Sequence, residues 1–334
     1  MRDWRQALRD FARWWREAFR SSGGLKVIFF KELGDHLTST RMTIIFSLVA
    51  VACLSSLYVA GQNIRQAVND ETSAFVFLRL FTTSGGSLPA FIAFMSFLGP
   101  LLGLAMGFDA INGEYHKRTL SRLLAQPIYR DDVINGKFLA GIAVLSLMVS
   151  VLGLLVAGLG LAFFGVPPRG EELLRMIAYL VVTVIYIAFW LSLSLFFSLV
   201  FRQTATSALA GMAVWLFFAI FAPMLAGIIA DGLFPVAQDS PADLVLRNAA
   251  WKQGLSRLSP TTLYDEATIT LLNPGVRTLG PVLIHQLIGA IPGFLPLGQS
   301  LLLIWPHLVG LIAATMLVFA AAYYFFMRQE IRTN

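Results

Sequence analysis

Apolar runs separated by short charged segments dominate the chain. Five runs, near residues 42–60, 88–109, 138–165, 175–201 and 207–230, are long enough to cross a bilayer core of about 30 Å as helices, and a sixth lies near 300–327. Lipid offers no hydrogen bonds, so backbone groups in each run must be satisfied within a helix. Pro281–Ser300 is also apolar, but Pro281, Pro292 and Pro296 interrupt any continuous helix there, which predicts a re-entrant or interfacial hairpin before the last span. With six spans both termini share one side, and 17 of the 25 Lys and Arg residues fall on it. A seventh span would carry Arg328 and Arg332 to the basic-poor side, against the bias that orients membrane helices. Both termini and the 110–137 loop are therefore expected in the cytoplasm, and the long 231–299 loop outside.

The polar flanks have patterns of their own. Trp4, Leu8, Phe11, Trp15 and Phe19 recur at helical spacing while Arg2, Arg5, Arg9, Arg13, Arg16 and Arg20 take another face. Such a helix suits the plane of an anionic inner leaflet, or the surface of a partner protein. A second amphipathic stretch, Leu25–Arg41, with Lys31, Glu32 and Arg41, leads into the first span as an interfacial elbow. Residues 1–41 thus form cytoplasmic amphipathic helices ahead of a 42–334 transmembrane unit. In the 110–137 loop, Glu114 to Leu124 has no breaker and gathers Leu120, Leu123 and Leu124, with His116, Lys117, Arg118 and Arg122 largely elsewhere, until Pro127 stops the helix. On the residues alone, this is either a helix shaped to be gripped by another protein or a solvated connection. In the second run Gly99, Gly103 and Gly107 recur every fourth residue beside Pro100, a spacing that serves close helix packing or a pore lining.

Composition narrows the class. Hydrophobic residues make up 57% of the chain and charged ones 13%, with a mean hydropathy of +0.72, which excludes an ordinary soluble domain. The net charge of +6 comes from basic residues beside apolar runs, where they orient helices, so no nucleic-acid partner is expected. One cysteine, Cys53, excludes an internal disulfide framework, and the charged first 24 residues do not read as a secretory signal. In "DDVINGKF" Asp131 stands where the first glycine of a phosphate-binding loop belongs and Phe138 where its hydroxyl belongs, so this chain carries no ATP site. Neither a zinc-peptidase nor a serine-hydrolase motif is present, and His285 and His307 lack a third ligand, so neither an enzyme nor a metal site is predicted. Asp109 and Asp231 lie at span ends, which leaves no ion relay through the bilayer, and no inverted repeat is evident.

The spaced set Glu114, Thr119-Leu120, Leu123-Leu124, Pro127-Ile128, Arg130, Ile134 and Gly136-Lys137, with "FFKELGDHLTSTR" before the first span, resembles the permease subunits of ABC-2 type transporters. The likeness is to the branch that includes the permease of the nitrous-oxide-reductase maturation system, and it covers about the first 140 residues well. It implies an all-α polytopic membrane protein with six transmembrane helices, N-terminal interfacial helices, an elbow at 25–41 and outer re-entrant helices near 281–299. It further implies a cytoplasmic coupling helix at 113–125, with Glu114, Arg118, Thr119, Leu120, Arg122, Leu123, Leu124 and Pro127, docking in a separate ATPase subunit. Two ATPase subunits holding ATP and Mg, two permease copies in the inner (cytoplasmic) membrane and no cofactor on this chain complete the implied complex, an ABC transporter of the exporter class. Two alternatives stand: a membrane scaffold supporting an outer-face protein in metal or sulfur delivery, or a secondary carrier. The 231–299 loop is long enough to dock a periplasmic or cell-surface partner. The family commonly has glycine before the threonine; Arg118 stands there instead, which predicts a locally more helical turn.

Overall fold

The computed structural model describes residues 23–67, 75–83, 89–119, 128–165, 167–237, 239–281 and 293–329, and these contain helices and connections but no strand. Helix α1 spans Gly23–Thr38, α2 Thr40–Ala67, α3 Val76–Thr82, α4 Phe91–Gly107 and α5 Asn112–His116. Helix α6 follows at Arg130–Phe164, α7 at Gly170–Val200 and α8 at Thr204–Leu233, the last with a π-helical turn at Phe217–Phe221. Then come α9 at Ala242–Ser256, α10 at Pro260–Leu272 and α11 at Leu297–Arg328. Among the described residues, six segments are long and apolar enough to cross a membrane: α2, α4 with α5, α6, α7, α8 and α11.

Helix α7 is the central beam. Two thirds of its most apolar window is buried, against 11% for α8 and 17% for α11, and it packs on α4, α6, α8, α10 and α11. The bundle has a basic end, where Arg41, Lys137, Arg202 and Arg328 gather near the ends of the spans, and a far end capped by α3, α9 and α10.

Two irregularities follow from proline. Pro100 in α4 has no N–H, which frees the carbonyl of Ser96 four residues back; the Tyr186 hydroxyl of α7 donates to it at 3.0 Å. Pro223 lies just after the π-turn of α8, a place where the helical hydrogen-bond register must slip. There the carbonyl of Phe218 takes a bond from the Ser259 hydroxyl at 3.3 Å.

Several boundaries differ from the sequence expectation. Helix α6 starts at Arg130, eight residues before the expected span, because Asp131 and Asp132 in its first turn suit the positive end of a helix dipole. The elbow ends at Thr38, and Arg41 belongs to α2. The 231–299 segment is not an open loop: α9 and α10 fold within it, and α10 inserts its buried Tyr264, Ala267, Leu271 and Leu272 against α4, α7 and α11. Arg118 is not more helical; it adopts φ +54, the left-handed conformation that a glycine there would take. It sits at the C′ position of a Schellman-type ending, with Thr119 N bonding Glu114 O at 3.0 Å and Arg118 N bonding Tyr115 O at 3.0 Å, and α5 ends at His116. The N-terminal arm 1–22, the stretch 120–127 and most of the expected hairpin, 282–292, lie outside the described residues.

Candidate functional site

Where α1, α5 and α6 meet at the basic end, Lys137 is inserted between two carboxylates. Its Nζ lies 2.8 Å from Glu32 Oε1 and 2.7 Å from Glu114 Oε1, and its side chain is only 4% exposed. Lys31 closes the group from the surface side, 2.8 Å from Glu32, 3.2 Å from Asp35 and 3.6 Å from Glu114. Burial of this kind is tolerated only when each charge is paired, and removal of one partner strands the others. Burial alone would raise the Glu32 pKa, yet Lys137 and Lys31 hold it below the usual carboxylate range. Burial likewise opposes the charge on Lys31, but Glu32, Glu114 and Asp35 outweigh it and raise its pKa. At His36 burial wins, with Lys137 and Arg41 adding to it, and the imidazole pKa falls.

Backbone geometry makes the insertion possible. Gly136 lets α1 cross α6 closely: a Cβ there would lie 2.7 Å from Ile28 Cγ2. Helix α5 is fastened on its other side to the end of α7. Ser198 Oγ accepts the otherwise unpaired N–H groups of Ile111 and Asn112 at 2.9 and 3.1 Å. Asn112 Nδ2 bonds Phe201 O at 3.2 Å, and His116 Nε2 lies 2.8 Å from Arg202 O. Arg41 Nη1 reaches Asp109 Oδ2 at 2.8 Å with its guanidinium over the Phe108 ring, joining α2 to the end of α4. Arg130 Nη2 bonds the carbonyls of Phe326 and Gln329 at 2.8 Å each, a cation on the negative end of α11. A cleft of about 670 Å³ opens beside these groups, lined by Lys31, Asp35, Arg41, Asp109, Glu114 and Lys117 among others.

Of the residues singled out in the sequence, Lys31, Glu32 and Glu114 come together in the cluster, and Arg41 lies in the adjoining pair with Asp109. Arg118 and Thr119 are exposed beyond α5. Leu120, Arg122, Leu123, Leu124 and Pro127 lie outside the described residues. Gly99, Gly103 and Gly107 face α7, where added Cβ atoms would lie 3.2 Å from Ile187 Cγ1, 2.7 Å from Ile187 O and 2.8 Å from Ser194 Cβ respectively. Lys137, Asn112 and Ser198 were not singled out for a role. For Lys137 the signal existed, since a lone lysine at the head of a long apolar run must find a counter-charge.

The far end has a second polar network. Glu266 of α10 accepts from Gln253 at 2.7 Å and Arg257 at 2.8 Å, and lies 2.6 Å from His307 Nε2 of α11. Arg175, fully buried, bonds Leu271 O at 2.8 Å, Ser300 Oγ at 3.2 Å, Leu295 O at 2.5 Å and Glu171 at 2.9 Å. Asp231 accepts from Asn248 at 2.8 Å. Among the described residues no group of three or more His, Cys, Asp or Glu side chains is placed to hold a metal.

Among the described residues, six helices long and apolar enough to cross a membrane, with α1 and the short α5 joined to them at the basic end, define a multi-pass membrane protein. Residues 26–331 match the sequence model of the ABC-2 family transporter proteins, and the chain belongs to that family. It is 28% identical over 193 residues to a probable ABC transporter permease protein, NosY, of Pseudomonas aeruginosa, which covers 55% of this chain and 63% of that protein. The NosY of Stutzerimonas stutzeri is 34% identical over 71 residues, 21% of this chain and 26% of that one. The chain therefore spans less than two thirds of the length of either relative.

Proposed function

We propose that this ABC-2 family permease works as the membrane half of an ATP-driven exporter whose ATPase is a separate subunit docked on residues 113–125. The observation that carries the reading is the buried Glu32–Lys137–Glu114 cluster, which makes the segment leading into that region one mechanical piece with α1 and α6. A basic end rich in Lys and Arg belongs in the cytoplasm, together with both chain termini. ATP and Mg are held by the partner subunit. Leu120, Leu123 and Leu124 supply the apolar contact, and Arg118 and Arg122 orient it. ATP-driven closure of two ATPase subunits pushes two permease copies between states that differ in access to the path between them. Such a shift is limited by the difference in ATP affinity between the two states.

The folded α9–α10 cap supports a second reading, in which the same motion does work on a periplasmic or cell-surface protein instead of a solute. Stimulation of ATPase activity by a transported solute in the reconstituted complex separates the two.

Substitution of both Leu123 and Leu124 by aspartate is expected to abolish copurification of the ATPase while membrane insertion persists. Wild-type material should run as two copies of each subunit. Unchanged copurification in the variant, or a wild-type permease that purifies as a lone stable chain, overturns the reading.

A further inference from the structure

Two cavities of opposite character meet at Arg41. One is the charged cleft of about 670 Å³; the other is an apolar groove of about 340 Å³ between α2, α4 and α8, and Arg41 lines both. The groove runs from Arg41 and Phe108 at the basic end to Val49 and Leu98. That is eight to ten residues of helix, or about 12–15 Å at 1.5 Å per residue. Such a depth is half of the ~30 Å hydrocarbon thickness of a bilayer, and so the depth of one leaflet. Ile44 and Leu48 on its wall are 62% and 57% exposed, so the groove opens sideways from the bundle, where acyl chains lie.

The cleft supplies the other half of an amphiphile's needs. Apart from the buried Lys137–Glu32 pair, it is lined by Lys31, Arg41 and Lys117 and by Asp35, Asp109 and Glu114, equal numbers of cations and carboxylates. A purely anionic head would meet as much repulsion as attraction there, whereas a head with both charges addresses both sets. Arg41 gives Nη1 to Asp109, and its side chain is still 34% exposed where the two cavities meet, so the guanidinium is open to a further anion from the cleft side. We propose that one phospholipid with a phosphoethanolamine head occupies this place. Its phosphate sits against Arg41, its ammonium on the carboxylate side toward Asp109 and Glu114, and one chain along the groove.

The test is native mass spectrometry of the full chain in detergent, with dioleoyl-phosphatidylethanolamine and dioleoyl-phosphatidylglycerol added in equal amounts. It needs no ATPase, so its outcome is separate from that of the proposed energy coupling. The expected result is one phosphatidylethanolamine retained per chain in preference to phosphatidylglycerol. Arg41→Gln should weaken retention about tenfold, the order of one charge-assisted hydrogen bond. Ala208→Trp, which fills the groove at a residue in no ion pair, should weaken it similarly. Arg328→Gln, at the same end but on α11, should change nothing. Glycerophosphoethanolamine, the head without chains, should fail to displace the lipid at tenfold excess. Should Arg41→Gln not fold, Ala208→Trp carries the test alone. Equal retention of the two lipids, preference for phosphatidylglycerol, retention unchanged by filling the groove, or displacement by the free head overturns the proposal.

Discussion

At the scale of single residues, Gly103 brings the backbones of α4 and α7 close together. A Cβ on Gly103 would lie 2.7 Å from Ile187 O and 2.9 Å from both Leu191 N and Trp190 Cβ, so nothing but a shift of α7 itself could admit it. At Gly107 the nearest atom is the Ser194 side chain at 2.8 Å, with backbone at 3.0 Å, and at Gly99 it is the Ile187 side chain at 3.2 Å. Alanine should therefore destabilise in the order Gly103, Gly107, Gly99, with the first costing about 1–3 kcal/mol as an overpacking change. Thermal midpoints in detergent measure the order, and an equal effect at all three would contradict the close approach. Lys137 carries the opposite kind of dependence. Lys137→Met leaves Glu32 and Glu114 with only the half-exposed Lys31 beside them, and removing the buried partner of such a cluster costs roughly 3–5 kcal/mol. The further change Glu32→Gln in that background should recover part of the loss, because it removes one stranded charge; no recovery would mean that packing, not charge, is what Lys137 provides.

At the scale of elements, the described spans were legible because a lipid-facing helix has to be apolar over its whole length, and a run of that kind is visible without any tertiary information. The start of α6 was not. Arg130, Asp131 and Asp132 read as loop by polarity, while in place they are a helix N-terminus whose arginine caps α11, a contact between residues about 200 positions apart. The left-handed Arg118 is not legible in the local pattern either: α5 ends at His116, whose ring meets the Arg202 carbonyl far along the chain, and the turn closes through Thr119 N to Glu114 O. Helix α10 is the clearest case. Its Thr, Asp and Glu residues look like surface, yet Tyr264 is wholly buried, stacked on Tyr186 at 4.2 Å and bonded to Thr183, while Glu266 meets His307. The polarity is satisfied by partners from α7 and α11, so nothing in the local pattern reveals the depth of insertion. Asp265 on this helix has a testable consequence. Burial raises its pKa from 3.8 to about 6, against a bond from Ser96 and with the neighbouring Glu266 adding to the rise. Between about pH 4 and 6 the folded chain keeps a proton that the unfolded chain has released, so this group's contribution to stability falls as pH rises and is at its worst above 6. Asp265→Asn should therefore melt a few degrees above wild type at pH 7.5 and level with it near pH 4. A difference that does not grow across that window would show that Asp265 is ordinarily solvated.

Across the whole molecule, the two polar networks are joined by α7. At the basic end it holds α5 through Ser198, and α5 is tied to α1 and α6 through Glu114 and Lys137. At the far end it holds α10 through Tyr179, Thr183 and Tyr186, and α10 is tied to α11 through Glu266 and His307. Densely packed interiors move as units and not by continuous deformation, so a displacement of α5 should be transmitted along α7 instead of being absorbed locally. On the proposed reading, ATP trapped in the partner subunit must then alter the far end. Leu258, between α9 and α10, is 76% exposed, and Cys53 is the only native cysteine and fully buried, so Leu258→Cys offers one accessible thiol. Its rate of labelling by a membrane-impermeant maleimide should change severalfold when a non-hydrolysable ATP analogue binds the complex. Adding Glu114→Gln, which keeps the Lys137–Glu32 pair but loosens α5, should shrink that change while leaving the nucleotide-free rate as it was. A labelling rate that ignores nucleotide would break the link between the ends, and a response that survives Glu114→Gln would route it around the buried cluster.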